Sequence, residues 1–254
     1  MNQPRKPPRR RVDGVLLLDK PAGITSNAAL QKAKWLLNAA KAGHTGTLDP
    51  MATGLLPLCF GEATKFAGEL LHADKGYTAS VQLGVRTDTG DAEGVVLETR
   101  PVSVTPGQLE AVLARFCGTI SQVPPMHSAL KRDGRPLYEY ARKGIELERE
   151  PREVSIFSLN VREISREGFI FDVDCSKGTY VRTLAQDIGE ALGCGGHLTV
   201  LRRTRIGDLR LDDAMTLEAL EAQPAPSRDA VLRPADSLLS GLPRLALADD
   251  EARR

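Results

Sequence analysis

From Tyr77 to Leu83 the chain alternates strictly, with Tyr77, Ala79, Val81 and Leu83 on one side and Thr78, Ser80 and Gln82 on the other. Only an extended strand, with its two-residue repeat, sorts such a run into an apolar and a polar face. Phe169, Phe171, Val173 and Cys175 repeat the pattern, and Gly14 to Leu18 reads as a short buried strand ending at Asp19-Lys20-Pro21. Other segments carry helical spacing. A cap at Thr25, Ser26 or Asn27 precedes Leu30, Ala33, Leu37 and Ala40, a helix expected to run until Gly43. Residues 106 to 117 predict a second helix, and Val181, Leu184, Ile188 and Leu192 a third, entered through Ser176-Lys177-Gly178-Thr179. Leu198 to Ile206 returns as a strand studded with arginines. Strands and helices mix without the regular alternation of a doubly wound fold, which predicts an α+β domain around a largely antiparallel sheet.

Two stretches depart from these periodicities. Pro124-Pro125 opens a polar, basic segment to about Pro151, read as an insertion or excursion from the core. After residue 222 the composition turns to Pro, Ala, Ser and acidic residues, read as a linker or domain edge, before Leu242 to Leu247 could begin a strand. The sequence stops soon after, at Arg254, as a truncated chain would. The basic, proline-bearing N-terminus lacks the apolar stretch of a secretory signal, and no apolar run reaches the roughly 20 residues that cross a bilayer. A cytoplasmic protein is expected, with no membrane partner. At 254 residues, 41% hydrophobic and 26% charged, the chain can bury a sizeable core without metal or disulfides.

Cys59, Cys117, Cys175 and Cys194 are widely spaced, and Cys194 with His197 makes two ligands at most, so the cysteines read as reduced core thiols. The net charge of +1 argues at first against a nucleic-acid partner. Its distribution matters more. Basic residues gather at Arg5 to Arg11, from Lys131 to Arg152, and at Arg202-Arg203-x-Arg205 with Arg210, while acidic residues concentrate in the tail. Each patch alone reads equally as solvated surface.

Chemistry concentrates between Gly43 and Gly54, where three glycines allow close backbone approach and Asp49 is the one carboxylate. Pro50 biases Asp49 to an extended conformation and removes a nearby N–H donor, so the carboxylate is presented instead of capping a helix. A plain turn aspartate fits the same residues, Asp-Pro being a common turn pair. Neither a phosphate loop nor a G-x-S-x-G elbow occurs. Arg182 falls in the first turn of the third helix, where a cation opposes the helix dipole at about 0.3–1 kcal/mol. It is either a solvated arginine or the partner of a carboxylate such as Asp49, which pairing would keep ionised and fit to act as a nucleophile. Tyr77 shares its strand face with apolar residues and is a core tyrosine or a stacking platform. Asp88 to Gly94 reads as a turn, because it lacks the ligand spacing of a calcium loop.

The run Gly43-His44-Thr45-Gly46-Thr47-Leu48-Asp49-Pro50-Met51-Ala52-Thr53-Gly54, continued by Gly61-Glu62-Ala63-Thr64-Lys65, closely resembles the catalytic motif of the TruB family of pseudouridine synthases. Further segments agree in order: Asp19-Lys20-Pro21-x-Gly23, Lys75-x-Tyr77, Arg86-Thr87-Asp88-Thr89-x-Asp91, Pro124-x-Met126-x-Ser128-Ala129-Leu130-Lys131, Leu137 to Arg142, Cys175 to Tyr180 with Arg182, and Gly193 to Leu198. The resemblance covers about residues 12 to 220. It implies a bipartite, mixed but mainly antiparallel sheet flanked by helices, with a central RNA-binding cleft. It also implies a catalytic domain over 12–240 with a thumb inserted at about 124–152, a basic disordered tail over 1–11, and a truncated PUA-like domain over 241–254.

The implied activity is isomerisation of the T-loop uridine at position 55 of tRNA, by a monomer with no cofactor and no obligatory protein partner. Carried over by position, Asp49 is the nucleophile, Tyr77 stacks on the target base and aids proton removal, and Arg182 pairs with Asp49. His44, Tyr180 and Leu201 line the nucleotide pocket, with Lys20 and Lys65 supporting the site and its loop. A carboxylate suits the reaction, since breaking a C–N glycosidic bond and rejoining the base through carbon needs a group that holds a covalent intermediate. Either the uracil ring or ribose C1′ can receive it. Two other readings remain: the synthase subunit of a guide-RNA ribonucleoprotein, and a non-catalytic tRNA-binding or folding module.

Overall fold

A computed structural model of the chain describes residues 8–239. Four strands make one side of the molecule: β1 (Gly14–Lys20), β2 (Ala42–His44), β3 (Thr53–Phe60) and, from the far end of the sequence, β12 (Gly196–Ile206). The apolar run of β1 is buried on both faces. Leu16 and Leu18 enter the main core while Val15 and Leu17 enter a second, smaller one with Leu55, Cys59 and Ile206. A strand covered on both sides shows no alternation, which is why it reads as a continuous apolar run.

The other side holds β4 (Lys75–Leu83), β7 (Gly118–Gln122), β10 (Arg152–Ile164) and β11 (Gly168–Cys175). The alternation of β4 is realised: Ala79, Val81 and Leu83 are buried in the main core, with Tyr77 half-buried at its edge. One sheet joins both sides in the order β1-β3-β12-β4-β11-β10-β7, with β2 added to β3 and the short β13 (Leu209–Arg210) to β12. Every pairing is antiparallel except that of β12 with β3, where Arg202 aligns with Thr53 and Arg203 with Gly54. The sheet is thus mixed, mainly antiparallel and bipartite, as expected; its two sides meet where β12 pairs with β4, and the short parallel contact of β12 with β3 lies within the first. Helices α1 (Ser26–Leu36), α3 (Pro106–Arg115) and α5 (Val181–Ala191) pack on the main core through Leu30, Leu109 and Leu184, and the short α2 (Ala67–Leu71) on the second through Leu70, while β5 (Val85–Thr87) and β6 (Val96–Thr99) pair apart from the main sheet.

At the parallel contact there is no room for a side chain. Gly54 has φ of +100°, and a Cβ there would lie 2.3 Å from the Arg203 carbonyl oxygen. Gly54→Ala is therefore expected to destabilise the fold by about 2 kcal/mol or more. A urea midpoint equal to that of the parent protein would contradict this reading.

Three details differ from the sequence expectation. Helix α1 ends at Leu36 instead of reaching Gly43, because Asn38 adopts φ of +49° and turns the chain, leaving Gly43 inside β2. The stretch after residue 222 is no linker up to 239: Arg233 exchanges backbone hydrogen bonds with Val15, and Leu238 is buried in the second core. Within the expected N-terminal tail, Arg10 pairs with Asp229 and its N–H donates to the Asn38 carbonyl. The expected C-terminal domain at 241–254, with its strand at 242–247, lies outside the described residues.

The basic segment does leave the sheet, since Gln122 of β7 aligns directly with Arg152 of β10. It carries a small hairpin, β8 (Lys131–Arg132) and β9 (Arg135–Pro136), and α4 (Leu137–Ala141). Asp133 and Gly134, both with positive φ, make its two-residue turn. Among the described residues no helix is long and apolar enough to cross a membrane.

Candidate active site

The loop from Thr45 to Ala52 connects β2 to β3 and is tied down along its length. The Ser26 hydroxyl bonds both the N–H (2.8 Å) and the carbonyl (3.0 Å) of Leu48, and Gly23 N–H donates to the Pro50 carbonyl at 2.9 Å. Lys20 is fully buried beneath it, donating to the carbonyls of Pro21 and Ile24 (both 2.7 Å) and of Pro50 (3.3 Å). Burial pulls the Lys20 ammonium down to about 8, with Asp49 opposing. Held by these bonds, Asp49 points its carboxylate into a cavity of about 380 Å³ with 38% of its side chain exposed.

Arg182 stands at the start of α5 and reaches this carboxylate, Nη2 to Oδ2, at 3.0 Å. Its side chain is 5% exposed and fully engaged. Nη1 meets Asp91 Oδ2 at 3.3 Å and donates to the Thr89 carbonyl at 3.1 Å, while Nη2 donates to the His127 carbonyl at 2.7 Å. A cation in the first turn of a helix is unfavourable alone, and here two carboxylates compensate it. Burial pushes Asp49 above its ordinary value; Arg182 is the main opposing influence, and Asp91 adds to the rise.

Tyr77, Tyr180 and Leu201 line the same cavity with Asp49 and Arg182, so five of the eight residues named from the sequence converge there. Tyr180 precedes α5 and is fixed by the buried Gln122, whose amide accepts from its N–H at 3.0 Å and donates to its carbonyl at 3.2 Å. Tyr77 stands near the start of β4, at the edge of the core, and burial pushes its phenol up. His44 ends β2 outside the cavity wall, with a buried Nδ1 that has no hydrogen-bond partner among the described residues. Lys20 supports the loop from below instead of facing the cavity. Lys65 does not join the group: it is 62% exposed and paired with Glu62.

Sequence reasoning missed Asp91 and Arg203. The segment Asp88 to Gly94 is a turn, as read, but that turn buries Asp91 to 4% exposure: its carboxylate accepts from the Thr89 hydroxyl at 2.6 Å and the Glu93 N–H at 3.1 Å. The excess of carboxylates there was the available signal. Arg203 was counted only within a basic patch. Among the described residues no group of three or more His, Cys, Asp or Glu side chains is placed to hold a metal ion. The arrangement offers an aspartate fixed by a buried arginine and open on one side, with aromatic and apolar walls around it.

The N-terminal domain of TruB family pseudouridylate synthases matches residues 34–181, and the C-terminal domain of tRNA pseudouridylate synthase B matches residues 182–240. The chain is 62% identical to tRNA pseudouridine synthase B of Ralstonia pickettii (strain 12J), over 99% of this chain and 80% of that protein. It is 65% identical to the protein of the same name from Azoarcus sp. (strain BH72), over 98% and 83%. Among solved structures it is similar to a chain of an H/ACA RNP bound to a substrate RNA containing 2′-deoxyuridine, with 29% identity and a TM-score of 0.66. A chain of the archaeal box H/ACA sRNP Nop10-Cbf5 complex is similar with 28% identity and a TM-score of 0.69. These two overlaps take in 89% and 92% of this chain, and 60% and 65% of those chains. On the extent of these matches, the chain belongs to the TruB family of pseudouridylate synthases.

Proposed function

We propose that the protein isomerises the T-loop uridine at position 55 of tRNA to pseudouridine, with Asp49 as nucleophile. The observation that carries this reading is the Asp49 carboxylate itself, open to a cavity on one side and held at 3.0 Å by the buried Arg182 on the other. Ionised and desolvated, it can form the covalent bond that detains one fragment while the N1–C1′ bond is exchanged for C5–C1′. Tyr77 stacks on the uracil, and Tyr180 and Leu201 shape the nucleotide pocket. A T-loop base must leave its stack to enter, and an aromatic platform with apolar walls offsets part of the few kcal/mol of unstacking. The basic excursion at 124–152 acts as a thumb on the RNA, through shape and phosphate contacts. A cytoplasmic monomer acting without cofactor or obligatory protein partner fits this role.

The relatives at 62% and 65% identity, named for tRNA, favour this over a guide-RNA ribonucleoprotein subunit, where the likeness is 28–29%. The purified chain, given a bare tRNA transcript and no guide RNA, is expected to form one pseudouridine per molecule, located at position 55 by mass spectrometry of nuclease fragments. Product that appears only when a guide RNA is added would overturn the reading.

A further inference from the structure

The cavity wall holds a second arginine, and unlike Arg182 it has no carboxylate partner among the described residues. Arg203 is 2% exposed. Its Nε donates to the Leu55 carbonyl at 2.8 Å and its Nη1 to the Thr47 carbonyl at 3.4 Å, two residues before Asp49. Nη2 is buried and, among the described residues, has no acceptor at hydrogen-bonding distance. A buried cation left without a counter-charge costs several kcal/mol, and burial accordingly pulls Arg203 below its ordinary value. Such a group calls for an acceptor.

The register of the sheet supplies the neighbour. Arg203 on β12 lies directly across from Tyr77 on β4, both side chains line the cavity, and the phenol is the group that favours the guanidinium charge. From the other side, Arg203 is the largest influence opposing the rise that burial imposes on Tyr77, against Cys175 on β11 and Asp49 in the loop. Lys20, His44 and Lys75 each feel Arg203 as a like charge, so no neighbouring cation replaces it. A guanidinium only donates. In any hydrogen bond between the two the phenol oxygen would therefore accept, leaving the Tyr77 hydrogen free for the cavity and favouring the deprotonated oxygen once that hydrogen is given up.

We propose that Arg203 is a positioning residue for Tyr77: with a uridine in the cavity its free Nη2 donates to the phenol oxygen and holds Tyr77 as the proton carrier of the isomerisation. This rests on the tRNA reading above. The protons balance without a co-reactant. With Asp49 taking C1′, N1 leaves ribose with the bonding pair and takes the hydroxyl proton of Tyr77; C5 then bonds C1′ and displaces the Asp49 carboxylate, and the C5–H bond breaks, its electron pair restoring the ring double bond and its proton passing to the Tyr77 oxygen. Through Thr47 the same arginine braces the loop of Asp49, so one buried side chain registers both groups against each other.

The test is a double-mutant cycle of Arg203→Gln and Tyr77→Phe, read as single-turnover rates at saturating tRNA from about pH 5 to about pH 10. Arg203→Gln alone is expected to slow the reaction about 10²-fold, with tRNA affinity unchanged and the Tyr77 limb of the pH profile moved upward by about one unit or more. In the Tyr77→Phe background it is expected to cost no more than about threefold further. The same cycle with Arg203→Lys, which keeps the buried charge, carries the test where Arg203→Gln does not fold. Equal costs in both backgrounds, or a variant with the parent rate and profile, would overturn the proposal. A parent protein that forms no pseudouridine on tRNA would instead sink the reading it rests on.

Discussion

Asp49→Asn is expected to remove pseudouridine formation by a factor of at least about 10⁴, with tRNA affinity within about threefold of the parent, because the amide keeps the shape of the carboxylate but is no nucleophile. The effect on stability should run the other way. Burial holds Asp49 above its ordinary value in the folded protein, so the folded state takes up its proton more readily than the unfolded chain does. At neutral pH the ionised carboxylate therefore costs stability, and it costs less as pH falls through the folded value. Asn carries no charge to desolvate, and Arg182 keeps its second carboxylate, Asp91, at 3.3 Å. The melting temperature of Asp49→Asn should equal or exceed that of the parent, the signature of a residue retained for chemistry. A lowered melting temperature with the rate intact would mean that Asp49 is a structural turn residue.

Arg182→Met should lose both activity and stability. The methionine fills part of the volume but leaves Asp91 buried with no cation and strands the carbonyls of Thr89 and His127. Breaking a buried pair from one side costs about 3–5 kcal/mol, and the nearly inaccessible Asp91 dominates here. Activity should fall by about 10²-fold or more, since Asp49 loses the contact that orients it. The sign of the pH effect is fixed by the same contact. Arg182 is the main influence lowering the Asp49 value, so its removal raises that value, and the acidic limb of the rate profile moves to higher pH. A limb that stays in place would show that Arg182 acts on the fold alone.

What could be read from the chain in advance follows from how local each signal is. Strands β4 and β11 were legible because each buries one face, and the two-residue repeat survives in the sequence. The end of α1 was not, because the apolar spacing runs on through Leu37 and Ala40 while Asn38 reverses the backbone. The segment from 225 to 239 looked like a linker because its composition is polar and prolyl, yet one buried leucine and one backbone exchange with Val15 suffice to dock it. At the site, the presentation of Asp49 was visible in Asp-Pro and the placement of Arg182 in the helix start. Their company was not. Asp91 reaches Arg182 through a turn, and Arg203 reaches the cavity wall through the pairing of β12 with β3 and β4, both set by long-range packing. Lys65 was assigned near the loop by resemblance, whereas its side chain pairs outward with Glu62.

Exchange of the C–N for a C–C bond on a tRNA uridine expels the hydrogen from C5. With tRNA carrying tritium at C5 of its uridines, the parent protein is expected to release one equivalent of tritium to water per tRNA, matched by one pseudouridine, and Asp49→Asn to release none. Release by Asp49→Asn at the parent rate, or none by the parent protein, would contradict Asp49 as the nucleophile of that exchange.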